Sequence, residues 1–150
     1  MVVRETNRMP TKPISVVIAD DKKEDRLLLK QAIERHAAHL RVAGEVENGL
    51  QLIDYLSGKN EYADRDKYPF PDLLFMDLRM PQVDGFQVLE WLQKHPFPHL
   101  KVAVIADSSG IAYRSEAMKM GAHFFYPKVS EPAGLANAVK RLQRELVSIR

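Results

Sequence analysis

Three short runs in this chain are apolar without alternation. Ile14 to Ala19 reads ISVVIA, Asp72 to Met76 reads DLLFM, and Val102 to Ala106 reads VAVIA. A strand with one wet face alternates apolar and polar side chains. A run without alternation suits a parallel strand covered on both faces. Arg41 to Val46 and Ala122 to Tyr126 add two further strands. Helical patterns lie between them. One runs from Glu24 to His39, with Leu28, Ala32 and His36 on a stripe and Leu29 and Ile33 beside it. A second opens on Asn48 as cap, passes through Leu52, Ile53 and Leu56, and stops at Gly58. Phe86 to Lys94 stops before Pro96, and Ile111 to Met120 ends at Gly121. The last begins near Pro132 and places Leu135, Ala138, Val139, Leu142 and Leu146 at helical spacing. Strand and helix alternate five times, which implies a parallel sheet with right-handed crossovers and helices on both faces. The economical arrangement is a doubly wound, five-stranded α/β fold of flavodoxin type, with sheet order 2-1-3-4-5.

The chain has 150 residues, enough for one domain with a real core. Residues 1–13 are polar with two prolines and read as a flexible tail before a domain spanning 14–150. A net charge of +2 is too mild to argue for nucleic acid. Lys140, Arg141 and Arg144 make the last helix basic, and a solvated face is the simpler reading. With no cysteine, thiolate chemistry and disulfides are excluded. No apolar run reaches membrane-spanning length and no signal peptide is visible, so a soluble cytoplasmic protein is expected. Lys59 to Pro71 is charged, carries two prolines, and reads as a long exposed connection. Trp91 reads as packing on the third helix. Ile111, Met118 and Met120 read as core or as a partner-facing surface.

The chemistry collects at strand ends. Asp20 and Asp21 close the first strand, Asp77 closes the third, and Lys128 follows the fifth. In the expected order these ends meet at one edge of the sheet, where open α/β folds place ligands. Acids beside a lysine suit a magnesium ion and a phosphoryl group. Asp77 could attack phosphorus, since carboxylate nucleophiles form aspartyl phosphates. Lys128 could neutralise phosphoryl oxygens. Taken singly, each residue is more often a turn or cap residue. Their joint placement favours a functional site. Pro81 and Asp84-Gly85 mark a rigid loop and turn after Asp77. His36 and His39 lack a third ligand and read as solvated.

IADDKKEDR, LLFMDLRMPQVDGF and GAHFFYPK resemble the receiver domain of two-component response regulators, over roughly Ile14 to Leu146. The connection before PFPDLLFMD is similar to that of receivers serving cyanobacterial phytochromes. The resemblance implies that Asp77 is the phospho-acceptor, charged by a histidine kinase or histidine phosphotransfer protein. It implies that Asp20, Asp21, Asp77 and the backbone carbonyl of Arg79 bind Mg2+, with Lys128 as the family lysine. It also implies output through a downstream protein partner or a weak homodimer at the fourth helix, fifth strand and fifth helix, with Met118, Met120 and Lys140 as contacts. The sequence departs from the family at three places. Ala106 stands where a threonine or serine is usual, and Ser108 or Ser109 could replace that hydroxyl only from a displaced loop. Val129 replaces the proline after the lysine, and a trans bond is expected there. Phe125 occupies the aromatic switch position and has no hydroxyl. Two rivals follow: a degenerate receiver acting by docking alone, and a haloacid-dehalogenase-type phosphatase. The latter needs an aspartate where Arg79 stands.

Overall fold

The first strand, β1 (Ile14–Ala19), lies inside the sheet, where both faces and both edges are covered. Its side chains go alternately to two separate cores, which is why the run has no polar beat. Val17 and Ala19 join one cluster, Val16 and Ile18 the other. The structure, a computed structural model, describes residues 12–128 and 132–148. The other strands are β2 (Leu40–Val46), β3 (Leu73–Asp77), β4 (Lys101–Ala106) and β5 (Phe124–Pro127). All pairings are parallel and the order is β2-β1-β3-β4-β5, as the alternation implies.

The helices are α1 (Lys23–His36), α2 (Gly49–Ser57), α3 (Gly85–Lys94), α4 (Arg114–Lys119) and α5 (Pro132–Ser148). Leu29 and Ile33 of α1 join Val139, Leu142 and Leu146 of α5 over one face. Leu52 and Tyr55 of α2, Val88 and Leu89 of α3, and Ala117 of α4 fill the other. The caps of α2 fall as expected. The Asn48 side chain accepts from the Gln51 N–H, and Gly58 closes the helix in the left-handed conformation at φ 67°.

Several expectations need correction. Helix α1 stops at His36, because Ala37 makes the last helical bond, to the Ile33 carbonyl, and then leaves helical geometry at φ −134° and ψ 77°. Its inward stripe is Leu29, Ala32 and Ile33, while Leu28 is exposed. Two adjacent apolar stripes look alike in sequence, and α5 covers only one of them. Ile111–Tyr113 is a 3₁₀ turn before the short α4. There Ile111 and Met118 are exposed, and only Met120 of that trio packs on the core. Strand β5 begins at Phe124 rather than Ala122, whose N–H instead bonds Ala117 and closes α4. Trp91 is half-buried and stacks on His95, with ring centroids 4.7 Å apart. His36 and His39 are exposed.

The connection over 59–71 is not a bare exposed loop. It holds a 3₁₀ turn at Asn60–Ala63 and buries Tyr62. The rings of Tyr55, Tyr62 and Tyr68 lie 4.9 to 5.9 Å apart, and the Tyr55 hydroxyl donates to the Pro69 carbonyl at 3.0 Å. Arg65 donates to the carbonyls of Tyr55 at 2.8 Å and Leu56 at 3.0 Å, satisfying the open end of α2. The tail residues 1–11, and Val129 with its peptide bond, lie outside the described residues.

Candidate phosphoryl and metal site

Because the sheet is parallel, the C-terminal ends of β1, β3, β4 and β5 share one edge. Asp20 leaves β1 with its N–H bonded to the Val46 carbonyl at 3.1 Å, and its Oδ1 accepts from the Lys22 N–H at 2.9 Å. Asp77 is the last residue of β3, one later than the sequence suggests, and is 3% exposed. Lys128 follows β5 and is tied in place by its N–H to the Ala106 carbonyl at 2.7 Å. Asp21 is exposed. Asp20, Asp21 and Asp77 each bring one carboxylate oxygen within 4.8 Å of the others. Lys128 Nζ lies 2.9 Å from Asp20 Oδ2 and 3.0 Å from Asp77 Oδ2. The residues that the sequence singles out at three strand ends are therefore brought together.

A further acid stands in this group. Asp25, in the first turn of α1, places Oδ2 2.8 Å from Lys128 Nζ. Sequence reasoning missed it. The available signal was its position four residues after Asp21, at the helix end that faces the same sheet edge.

The electrostatics follow from burial. Burial pushes the Asp77 carboxyl above the usual range, Lys128 pulls it back, and Asp20 adds to the rise. Burial alone would lower the Lys128 pKa, but bonds from Asp25 and Asp20 and the charge of Asp77 outweigh it, so the ammonium is held firmly charged. Three carboxylates thus contact one ammonium, Asp21 stands close to two of them, and the surplus is negative. Hard oxygen donors, partly open to water through Asp21, fit a cation such as Mg2+, which keeps several waters.

The loop after β3 is shaped for this edge. The Arg79 N–H donates to Asp77 Oδ1 at 3.2 Å, which brings the Leu78–Arg79 backbone to the cluster. Asp84 and Gln87 form a reciprocal capping box that starts α3. Gly85 lets α3 approach the strand end, since a Cβ there would sit 2.8 Å from the Asp77 carbonyl oxygen. Arg79 and Asp21 line one depression together with Phe86 and Tyr113, whose rings meet edge to face at 5.5 Å.

The β4 end is different. Ala106 is buried, and the turn Asp107–Gly110 folds over it. A Cβ on Gly110 would lie 2.8 Å from the Ala106 methyl carbon. Asp107 Oδ1 accepts from the Ser109 N–H at 3.0 Å, the Ser109 hydroxyl at 2.6 Å and the Gly110 N–H at 3.1 Å. The Ser109 hydroxyl is thus engaged by Asp107, and Ser108 is exposed. Phe125 is buried, with the Arg114 guanidinium 5.9 Å from its ring centroid.

Residues 16–140 match the response regulator receiver domain family. The chain belongs to this family. The receiver is 30% identical over 129 residues to the chemotaxis protein CheY of Thermotoga maritima, covering 86% of this chain and 97% of that protein. It superimposes on the response regulator RPA3017, from red light signaling of R. palustris, with a TM-score of 0.75 at 30% identity, covering 87% of this chain and 90% of that one. The phosphorylated cyanobacterial phytochrome response regulator RcpA shares the fold, with a TM-score of 0.78 at 23% identity, covering 92% of this chain and 96% of that one. Receivers are signalling modules, not enzymes as such. Their general function is to accept a phosphoryl group, with Mg2+ at the acidic site, and they work with histidine kinases and downstream proteins. Membership removes the phosphatase alternative. Among the described residues no helix is long and apolar enough to cross a membrane.

Proposed function

We propose that this receiver accepts a phosphoryl group on Asp77 from a phosphohistidine donor and signals by protein contact. One observation carries the reading: Lys128 Nζ lies 3.0 Å from the buried Asp77 carboxylate, at the edge where Asp20 and Asp21 also converge. An Asp77 oxygen attacks phosphorus, the new O–P bond forms, and the P–N bond to the donor imidazole breaks, returning its electron pair to the ring nitrogen. Lys128 faces the transferred oxygens and offsets their charge. Asp20, Asp21, Asp77 and the Arg79 carbonyl would hold Mg2+, which supplies further charge neutralisation. Water later cleaves the acyl phosphate and restores the carboxylate. Incubation with acetyl phosphate and Mg2+ is expected to add one phosphoryl group, mapped by mass spectrometry to Asp77, and Asp77→Asn is expected to abolish it. Phosphate on another residue overturns the assignment.

A second reading has its own support. The Ala106 methyl and the engaged Ser109 hydroxyl leave β4 without a donor for the phosphoryl group. This favours a receiver that acts by docking, whatever its phosphorylation state. A wild-type protein that takes no phosphoryl group from acetyl phosphate or phosphohistidine donors decides for it. Under either reading, the output surface is the α4–β5–α5 face, where Met118 and Lys140 are exposed and Met120 is half-buried. A downstream protein or a weak homodimer would contact this face. Sedimentation that shows a strict monomer at high concentration, with and without phosphorylation, removes the homodimer.

A further inference from the structure

We propose that Asp25 is the positioning residue of Lys128: it holds the ammonium beside Asp77 when Asp20 and Asp77 turn to other ligands. The inference rests on the reading of Asp77 as phospho-acceptor. An ammonium has three N–H donors. Here they meet Asp25 at 2.8 Å, Asp20 at 2.9 Å and Asp77 at 3.0 Å. Two of these partners have a second task. Asp20 and Asp77 belong, with Asp21, to the group that can share a cation, and among the described residues Asp25 does not. Cation loading therefore draws on two of the lysine's partners and leaves the third free.

The anchor is rigid because the turn that carries it is stitched to the end of β1. Arg26, the next residue, donates from Nη1 to the Asp20 carbonyl at 2.8 Å and from Nε to Glu45 at 3.2 Å. The Arg26 N–H bonds the Lys22 carbonyl at 3.1 Å, and the Lys22 N–H bonds Asp20 Oδ1 at 2.9 Å. Among the described residues, no acid other than Asp20, Asp25 and Asp77 meets the ammonium. The depression of about 180 Å³ beside it is lined, apart from Asp20, Asp25 and Lys128, by Leu28, Leu29, Ile105 and Leu135. A lysine on a flexible four-carbon stem that loses this anchor wanders among rotamers. The phosphoryl group and Asp25 do not compete for donors, because three N–H groups serve both. Asp25 acts through Lys128 and touches neither phosphoryl group nor metal.

The experiment compares wild type, Asp25→Ala and Asp25→Asn, each checked for folding by thermal melting. With Mg2+ and saturating acetyl phosphate, the phosphorylation rate of Asp25→Ala is expected to fall about tenfold to a hundredfold, as misplacement of a charge-offsetting group does. Asp25→Asn, which keeps an acceptor oxygen, is expected to fall between it and wild type. Mg2+ affinity, followed by Trp91 emission, should stay within about twofold in both, since Asp25 is not among the acids grouped to share a cation. In Mg2+-loaded protein labelled with 15N-lysine, the Lys128 ammonium signal should be protected from exchange in wild type and lost in Asp25→Ala. A wild-type rate in Asp25→Ala, or equal protection of that signal, overturns the proposal. If wild type takes no phosphoryl group at all, the phospho-acceptor reading fails, and the lysine signal alone still decides whether Asp25 anchors Lys128.

Discussion

On the β1 and β5 side of Asp77, one ammonium meets three carboxylates within 3.0 Å. On the β4 side, a methyl group ends the strand and a tight turn lies against it. The charged flank holds more negative than positive charge, so an arriving cation relieves repulsion that the fold maintains. On the β4 flank Ala106 offers no donor, the Asp107 carboxylate is turned onto Ser109 and Gly110, and Ser108 is exposed. A ligand shifts an equilibrium only by its differential contacts with the two states. Phosphorylation therefore has partners to rearrange on the charged side and few on the side that leads to α4. A response routed through β4 should be weak, and one routed through Lys128 should not.

The largest expected effect comes from emptying the charged flank. Lys128→Ala leaves Asp20 and Asp77 buried without their counter-charge, and should cost about 3 kcal/mol of stability, as breaking a buried ion pair does. Denaturant melts should show this loss, and millimolar Mg2+ should recover part of it. A variant as stable as wild type without Mg2+ would mean that the flank stores no repulsion. Next comes the opposite flank. Ala106→Thr supplies the missing donor and should enlarge the phosphorylation response by on the order of 1.5–3 kcal/mol. That is roughly a ten- to hundred-fold change in population bias. It should appear as wider NMR shift changes around Ser108 and Phe125. The Asp107–Gly110 turn must give way to the larger side chain, since Gly110 already lies close to the Ala106 methyl. Equal responses in the two proteins would erase the contrast between flanks.

Smaller effects sharpen the contrast. The Asp77 carboxyl is raised above its unfolded value, chiefly by burial, so the native state holds its proton more tightly. The metal-free protein then loses stability as pH rises from the unfolded carboxylate value through the raised one. Asp77→Asn should remove this loss and stabilise the metal-free fold at neutral pH by about 1 kcal/mol, within the range of functional-site trade-offs. The gain should vanish below the unfolded pKa, and a gain that persists there would point to a cause other than charge. The smallest effect lies in the β4 turn. Asp107 is held below its usual range, first by the Ser109 hydroxyl and then by the Gly110 and Ser109 N–H groups. Its hold on the turn is present above the unfolded value and is lost as pH falls through the lowered one. Asp107→Ala should speed amide exchange at Ser109 and Gly110 while leaving that of β3 unchanged.

Much of this site is legible in the residues alone, because strand ends are a one-dimensional signal. An apolar run that breaks into an acid marks both the strand and its edge, and parallel order brings the edges together. Asp20, Asp21, Asp77 and Lys128 are readable for that reason, and the caps Asn48 and Gly58 are equally local. The packing of the connection over 59–71 is not legible in the sequence, because its charges and prolines mask the spacing of Tyr62 and Tyr68. Those rings pack only because Tyr55 on α2 offers a third ring.

The sequence by itself determined the strand order, the caps of α2 and the carboxylates at the sheet edge, since each depends on neighbours within a few residues or on a rule of parallel connection. Tertiary structure alone decided three other things. It chose Leu29 over Leu28 as the inward residue of α1, because α5 covers one stripe and leaves the other in water. It turned Asp25 from a first-turn helix acid into a partner of Lys128, 103 residues away. It bound the Ser109 hydroxyl to Asp107 and so removed one of the two substitutes for the hydroxyl that Ala106 lacks. Each of these depends on the rotation of a helix or the fold of a loop about its axis. Packing between distant segments sets that angle, and local composition does not encode it.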